Sequence, residues 1–387
     1  MMLLEERDTP LLITDAEVFA PAPLGRQDVL IAAGRVLAIG RDLQPGSALP
    51  LRRIDARRRP LVPGFVDSLV HIGGGGGEGG FATRAHPLRA EDALRAGVTT
   101  LIGALGTDEV TRSHADLLAC ARALNAEGLS AFVLSGSYRV PVATLTGSVR
   151  SDLVLIPEMQ GVGEIAIADH RGSQPSFDEL ARIGADARVG GMLAGKRGTV
   201  LIHVGDGADG IDLLEQLGAR TPLPRGQWHP THMSRNARLF EQGRRWLHAG
   251  GSIDITASTS AELLEAGEVP PLRALLALLE DGAPIERITL STDGQASLPR
   301  FDAQGRLLSI EFAPMHSLLE GLRELVLSHG LALEHALRPI TSSAASVWGL
   351  PRKGRIEVGA DADLLLLDAD SLALDTTIAA GRVFAVR

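Results

Sequence analysis

Only one cysteine, Cys120, occurs in the 387 residues. No intramolecular disulfide is available, which fits a chain that works in the reducing cytoplasm. Basic clusters are missing as well: the formal net charge is -9, and the charges are spread without long runs of one sign. A nucleic-acid partner is not expected, because phosphate binding needs clustered Lys and Arg. Apolar stretches are short, Leu364–Leu367 among them, and none approaches the roughly 20 residues of a membrane span. The opening MMLLEERDTPLLIT places acids and arginine where a signal peptide needs an apolar core, so no targeting segment is expected. One glycine-rich stretch is present, but no Lys-Ser/Thr follows it, and the phosphate loop of nucleotide-binding proteins is excluded.

What is present is a hydrophobic content of 45%, ample for a large core. Through the middle of the chain a β-rich apolar run, a polar turn and an Ala/Leu/Arg/Glu segment recur. The runs 64–72, 98–105, 130–138, 161–169, 199–206, 226–234, 251–259 and 286–293 predict eight strands. Helical spacing predicts helices between them, for instance over 88–97, 115–128 and 237–250. Strands alternating with helices in this way predict an α/β fold, a TIM-type (β/α)8 barrel over residues 61–349. The two ends differ from the middle. Residues 11–60 and 354–387 hold short strands and turns, each with an Ala-Gly-Arg turn (Ala33–Arg35 and Ala380–Arg382). They predict one small β domain built from both termini, residues 1–60 plus 350–387.

Barrel enzymes carry their chemistry at the C-terminal strand ends. Polar residues there are His71, Tyr138, Glu164, His203, His232 and Asp293. Each has a plain structural alternative. A lone strand histidine is more often a hydrogen-bonded core residue than a ligand, and a lone aspartate often caps the next helix. Glu164 is the most informative, because Val-Gly-Glu-Ile-Ala-Ile-Ala is otherwise uncharged. A buried carboxylate must be neutralised, paired with a base or bound to a cation; an ion pair with arginine is the structural alternative. The strand carrying His71 runs into Gly73–Gly77 and then Glu78, a loop whose backbone suits close approach to a ligand, or else a flexible turn. Arg171 and Arg235 flank these positions, where a guanidinium suits a substrate carboxylate, if they are not ordinary surface arginines.

The ordered pieces PGFVD, VHIGGGGGEGG, GALGTD, TGSV, DHR, HVGD, PTHMSRN, ITLSTDGQ, LRPITSS and GRIEVGADADLLLLD resemble the isoaspartyl dipeptidase family of the amidohydrolase superfamily over nearly the whole chain. The resemblance implies a two-metal hydrolase that cleaves β-aspartyl dipeptides and assembles as a homo-oligomer. It places His71 as one histidine of an HxH pair, His203 and His232 as ligands of a second metal, and Asp293 as ligand and proton shuttle. Tyr138 takes the place that polarises the scissile carbonyl. Glu78 takes that of the carboxylate holding the substrate ammonium, and Gly76, Thr107, Arg171, Arg235 and Ser297 those of other substrate contacts.

Two positions depart from the family pattern. The other HxH histidine falls on Leu69, and the bridging carboxylated lysine falls on Glu164. Leucine binds no metal, and the glutamate carboxyl stops roughly 3–4 Å short of the longer bridge at ordinary bond lengths. The expectation is therefore one zinc on Glu164, His203 and His232, with His71 and Asp293 beside it as ligands of a second ion or as metal-free acid–base groups. The alternatives are a related hydrolase of another amide, ester or lactone, and a protein that binds ligand without turnover.

Overall fold

The computed structural model describes residues 9–46, 50–301, 304 and 306–386, so most of the opening segment read above for targeting lies outside the described residues. The chain begins with β1 (Leu11–Phe19), β2 (Pro23–Ala32), β3 (Arg35–Gly40), β4 (Arg52–Asp55) and β5 (Pro60–Pro63). Parallel-sheet strands follow: β6 (Phe65–Val70), β7 (Val98–Gly103), β8 (Ser130–Ser135), β9 (Met159–Ile167), β10 (Thr199–Val204), β11 (Trp228–Thr231), β12 (Ile253–Thr256) and β13 (Ile288–Ser291). A hairpin, β14 (Ser297–Phe301) and β15 (Leu307–Phe312), comes next, then β16 (Leu364–Leu367), β17 (Leu374–Ala379) and β18 (Arg382–Ala385).

One sheet joins the two ends of the chain in the order β18-β17-β16-β5-β1-β2-β3, with β4 also on β1. Its two Ala-Gly-Arg turns stack on each other. Ala33 and Gly34 have φ of 49° and 71°, Ala380 and Gly381 of 48° and 77°. A Cβ at Gly34 would stand 3.1 Å from the Ala380 carbonyl oxygen. Glycine at these turns therefore meets both a left-handed backbone and a close neighbour.

The middle strands β6 to β11 pair in sequence order, each parallel to the next, and β12 pairs parallel with β13. Beyond β13 the chain bonds back to the end of β6: His71 N donates to Gly294 O at 2.8 Å. Strands β6, β7, β9 and β10 are buried along their whole length, as near-continuous apolar runs require in a parallel sheet covered on both faces. Helices α1 (Ala90–Arg95), α2 (His114–Glu127), α3 (Val149–Leu155), α4 (Phe177–Ala194), α5 (Asp212–Arg220), α6 (Ala237–His248), α7 (Ala261–Glu265) and α8 (Pro271–Glu280) lie between strands. Local chemistry sets several of their starts. Ser113 accepts from Asp116 N, Ser176 and Glu179 form a reciprocal capping box, and Asn236 accepts from Leu239 N.

Inside the sheet, Val66, Leu69, Ile102, Leu134 and Leu201 form an apolar cluster with Ala344, Ala345, Val347 and Trp348 from the chain at Ser342–Trp348. Thr199, at the entry of β10, donates to Val347 O at 2.7 Å, which ties this segment to the N-terminal end of that strand.

All eight predicted middle strands coincide with observed ones, but the predictions overrun. The run 286–293 ends as a strand at Ser291, and 226–234 at Thr231. The residues just past the ladder turn sharply: Ala168, His232 and Asp293 have φ of 50°, 63° and 52°. Backbone held in this region by non-glycine residues is costly and gathers at functional sites.

Candidate active site

Three strand ends bring Glu164, His203 and His232 together. His203 Nδ1 lies 2.8 Å from Glu164 Oε1, and His232 Nε2 lies 3.3 Å from the same oxygen. One donor atom from each of the three residues falls within 4.8 Å of the others, and all three residues are buried. Glu164 Oε2 is buried and has no hydrogen-bond partner among the described residues. An unpaired oxygen of that kind beside two imidazole nitrogens fits a divalent cation. Burial alone would raise the Glu164 pKa, but the two histidines hold it well below the usual carboxylate range. Burial, with the charge of Arg235, drops His232 to about 4 and keeps its ring neutral, the state a metal ligand needs.

Each histidine is oriented from behind. His203 Nε2 lies 2.9 Å from Asp169 Oδ2, and His232 Nδ1 lies 2.7 Å from Thr256 Oγ1. Asp169 also takes both arms of Arg171, from Nε at 3.0 Å and from Nη2 at 2.7 Å. Burial opposes ionisation of Asp169, but these bonds hold its carboxyl far below the ordinary range.

His71 and Asp293 form a separate pair, 3.2 Å between Nε2 and Oδ1. Burial favours the neutral His71 ring, yet Asp293 and Glu164 outweigh it and raise the pKa to about 9. Leu69, fully buried in the apolar cluster, offers no donor.

The remaining predicted residues surround this centre. Tyr138 Oη is 2.7 Å from His203 Nδ1, and burial together with the Glu164 charge keeps its phenol protonated, well above the usual value. Thr107 Oγ1 donates to Glu78 Oε1 at 2.8 Å, and Arg171 Nη1 stands 3.7 Å from that oxygen. Gly76 packs on Ser297: a Cβ there would come 2.1 Å from the serine Cβ, and φ is +70°. The Ser297 hydroxyl is buried without a hydrogen-bond partner among the described residues. Arg235 Nη1 donates to Val204 O at 3.2 Å. A cavity of about 500 Å3 opens over Arg171, His232, Arg235 and Asp293. The Arg171 fork is largely committed to Asp169, so it presents less of itself to a substrate than a free guanidinium would.

Sequence reasoning passed over Asp169, Thr256 and Arg112. Asp169 stood in the DHR motif, where an acid at a strand end reads as a helix cap. Arg112 is 4% exposed and lies under the glycine loop. It donates to Gly75 O at 2.8 Å, Gly76 O at 3.1 Å, Ala85 O at 3.3 Å and Gly73 O at 3.4 Å.

Residues 61–384 match the amidohydrolase family. The crystal structure of a β-aspartyl dipeptidase from the thermophilic, keratin-degrading Fervidobacterium islandicum AW-1, in complex with a β-Asp-Leu dipeptide, is 42% identical. It covers 98% of this chain and 96% of its own, with a TM-score of 0.91. An adenine deaminase of Deinococcus radiodurans is 28% identical over 369 residues; this chain is covered to 94% and spans 60% of the deaminase's length. A dihydroorotase of Lactiplantibacillus plantarum is 27% identical over 399 residues, covering 93% of this chain and 89% of the enzyme.

Proposed function

The chain belongs to the amidohydrolase family and groups with its β-aspartyl dipeptidases, and from that premise we propose that it hydrolyses the isopeptide bond of β-aspartyl dipeptides with the help of a divalent cation, zinc. The observation that carries this is the meeting of His203 Nδ1 and His232 Nε2 on Glu164 Oε1, with Oε2 left unpaired among the described residues. The frame we propose is a closed TIM-type barrel over residues 61–349 with a small β domain from both termini, in a cytoplasmic homo-oligomer.

When bound, the cation supplies Lewis acidity: it polarises an amide carbonyl and makes a neighbouring water more acidic. The chain's own residues do the rest. Asp293 takes a proton from the attacking water at a carboxylate oxygen and returns it to the leaving amine nitrogen. Tyr138 donates its phenolic hydrogen to the carbonyl oxygen as charge builds there, an effect typically worth about 3–4 kcal/mol. Glu78, steadied by Thr107, takes the substrate ammonium, and Arg171 and Arg235 take its two carboxylates, with Gly76 and Ser297 closing round the aspartyl end.

Metal analysis of the purified protein, followed by hydrolysis of β-Asp-Leu before and after chelation, tests this. About one zinc per chain and chelator-sensitive release of leucine are expected. Turnover that survives complete removal of metal sinks the reading. A second reading, ligand binding without turnover, is favoured by Leu69, which withdraws one ligand from the His71 side. It requires tight dipeptide binding with no product.

A further inference from the structure

The cavity over His232 and Asp293 is lined by two unlike sets of groups: Arg171 and Arg235, and the aliphatic Leu263, Ala266, Leu298 and Ala313, with a carboxylate, Glu268, in the same lining. Its position is fixed by the backbone. Glu268 N donates to Leu263 O at 3.0 Å, and the next residue, Val269, donates to Ser234 O at 2.8 Å, one residue before Arg235. Thr259 Oγ1 donates to Glu268 Oε2. Among the described residues Glu268 has no ion-pair partner: Arg235 lies 4.0 Å from both Asp169 and Asp206 instead. Burial pushes the Glu268 carboxyl up, against the opposing pull of the Thr259 hydrogen bond and of the more distant Arg235 charge.

Charge counting makes this acid surplus. A β-aspartyl dipeptide with an apolar leaving residue brings one ammonium and two carboxylates, which Glu78, Arg171 and Arg235 already match. Asp206 also borders the cavity, but its side chain is 78% exposed and faces Arg235. Among the described residues Glu268 is left bordering the cavity with the Thr259 hydroxyl as its hydrogen-bond donor and no ion pair to balance it. An aliphatic sleeve with a carboxylate in it suits a side chain whose methylene stem packs and whose tip is a cation.

Building on the dipeptidase reading above, we propose that Glu268 is the specificity-determining residue for the leaving amino acid, and that it selects β-aspartyl dipeptides whose leaving residue ends in a cation, β-Asp-Lys above all. Arg235 holds the α-carboxylate of that residue. The lysine stem lies on Leu263 and Leu298, and its ammonium meets Glu268. Neutral side chains of the same length fill the sleeve and leave the acid unpaired.

The test compares β-Asp-Lys, β-Asp-Leu and β-Asp-Glu on the parent, Glu268→Gln and Glu268→Lys. Steady-state kcat/KM is one arm; calorimetric binding of the same dipeptides to chelator-treated protein is the other. The Lys-to-Leu ratio is expected to fall by about 10- to 100-fold in Glu268→Gln, the loss of one charge-assisted hydrogen bond. Glu268→Lys is expected to turn the preference toward β-Asp-Glu. Lys-to-Leu ratios within about twofold of the parent in both arms overturn the assignment. If nothing is hydrolysed but β-Asp-Lys still binds in a Glu268-dependent way, the hydrolysis reading fails and the subsite stands. If none of the dipeptides is bound or cleaved, both fall.

Discussion

Asp169 Oδ2 stands 2.9 Å from His203 Nε2, on the side of the ring away from Glu164. A carboxylate in that place takes the Nε2 hydrogen and leaves the Nδ1 lone pair facing the candidate metal position. Such partners behind a metal-binding histidine typically change affinity about 10- to 100-fold. Asp169→Asn keeps the oxygen and removes the charge. The variant should fold normally by circular dichroism and bind zinc about tenfold or more weakly in a competition titration. Zinc affinity equal to that of the parent would show that Asp169 serves Arg171 alone.

Arg112 is the second silent support. Its guanidinium gathers carbonyl oxygens from Gly73, Gly75 and Gly76, so three of the five loop glycines are pinned from below while Glu78 follows directly after them. Lysine cannot reproduce that fork. Arg112→Lys should cost about 1–3 kcal/mol in unfolding free energy through under-satisfied buried carbonyls. It should also raise KM for β-Asp-Leu more than it lowers kcat, because the ammonium contact is displaced rather than the reacting groups. A fall in kcat at constant KM would remove Arg112 from any role in holding the loop.

These two residues also mark where the sequence stops speaking. The parallel strands were legible because strands buried on both faces must be almost wholly apolar, and Glu164 stood out against that background. Asp169 did not, since an acid at a strand end looks the same whether it caps a helix or holds a histidine. Arg112 was invisible for a different reason. Its partners are backbone carbonyls, which carry no residue signature, and only tertiary folding brings the loop over it. The strand ends overran for the same cause: Asp293 and His232 follow extended sequence but sit at φ of 52° and 63°. Local pattern does not register a turn imposed by the site.

A pH signature should come from Asp67, fully buried in β6. Burial raises its pKa from 3.8 to about 7, while bonds from Thr292 pull the other way. The folded state therefore holds this proton more tightly than the unfolded chain does. Its stabilising effect is complete below about pH 4 and is lost as pH climbs to about 7. Asp67→Asn should keep the Thr292 contacts and escape the penalty. Its stability relative to the parent should improve by about 2–3 kcal/mol between pH 5 and pH 8 in denaturant unfolding. A constant offset across that range would mean Asp67 is ionised throughout.

Leu69 and Glu164 should prove to be one change made in two places. Glu164 reaches His203 and His232 with a single oxygen, and among the described residues the cluster within metal-binding range stops there, leaving His71 and Asp293 as a pair of their own. Leu69 lies among Ile102, Leu134 and Leu201, so it supplies packing where a histidine would supply a ligand. Leu69→His alone should lose about 2 kcal/mol or more of stability, from lost packing and a buried polar ring, and gain little metal because the carboxylate bridge is still short. Glu164→Lys alone should be worse, for an uncarboxylated ammonium beside His203 and His232 repels a cation. Together, with bicarbonate supplied, a carboxylated lysine spans the gap and the new histidine completes the His71 side. The double variant should hold two zinc ions per chain and cleave β-Asp-Leu faster than the parent and both singles, a non-additive outcome expected of groups in one network. Metal content and initial rate across the four proteins decide it. A double variant no better in either than the better single would separate the two positions and leave Leu69 as a core residue with no history as a ligand site.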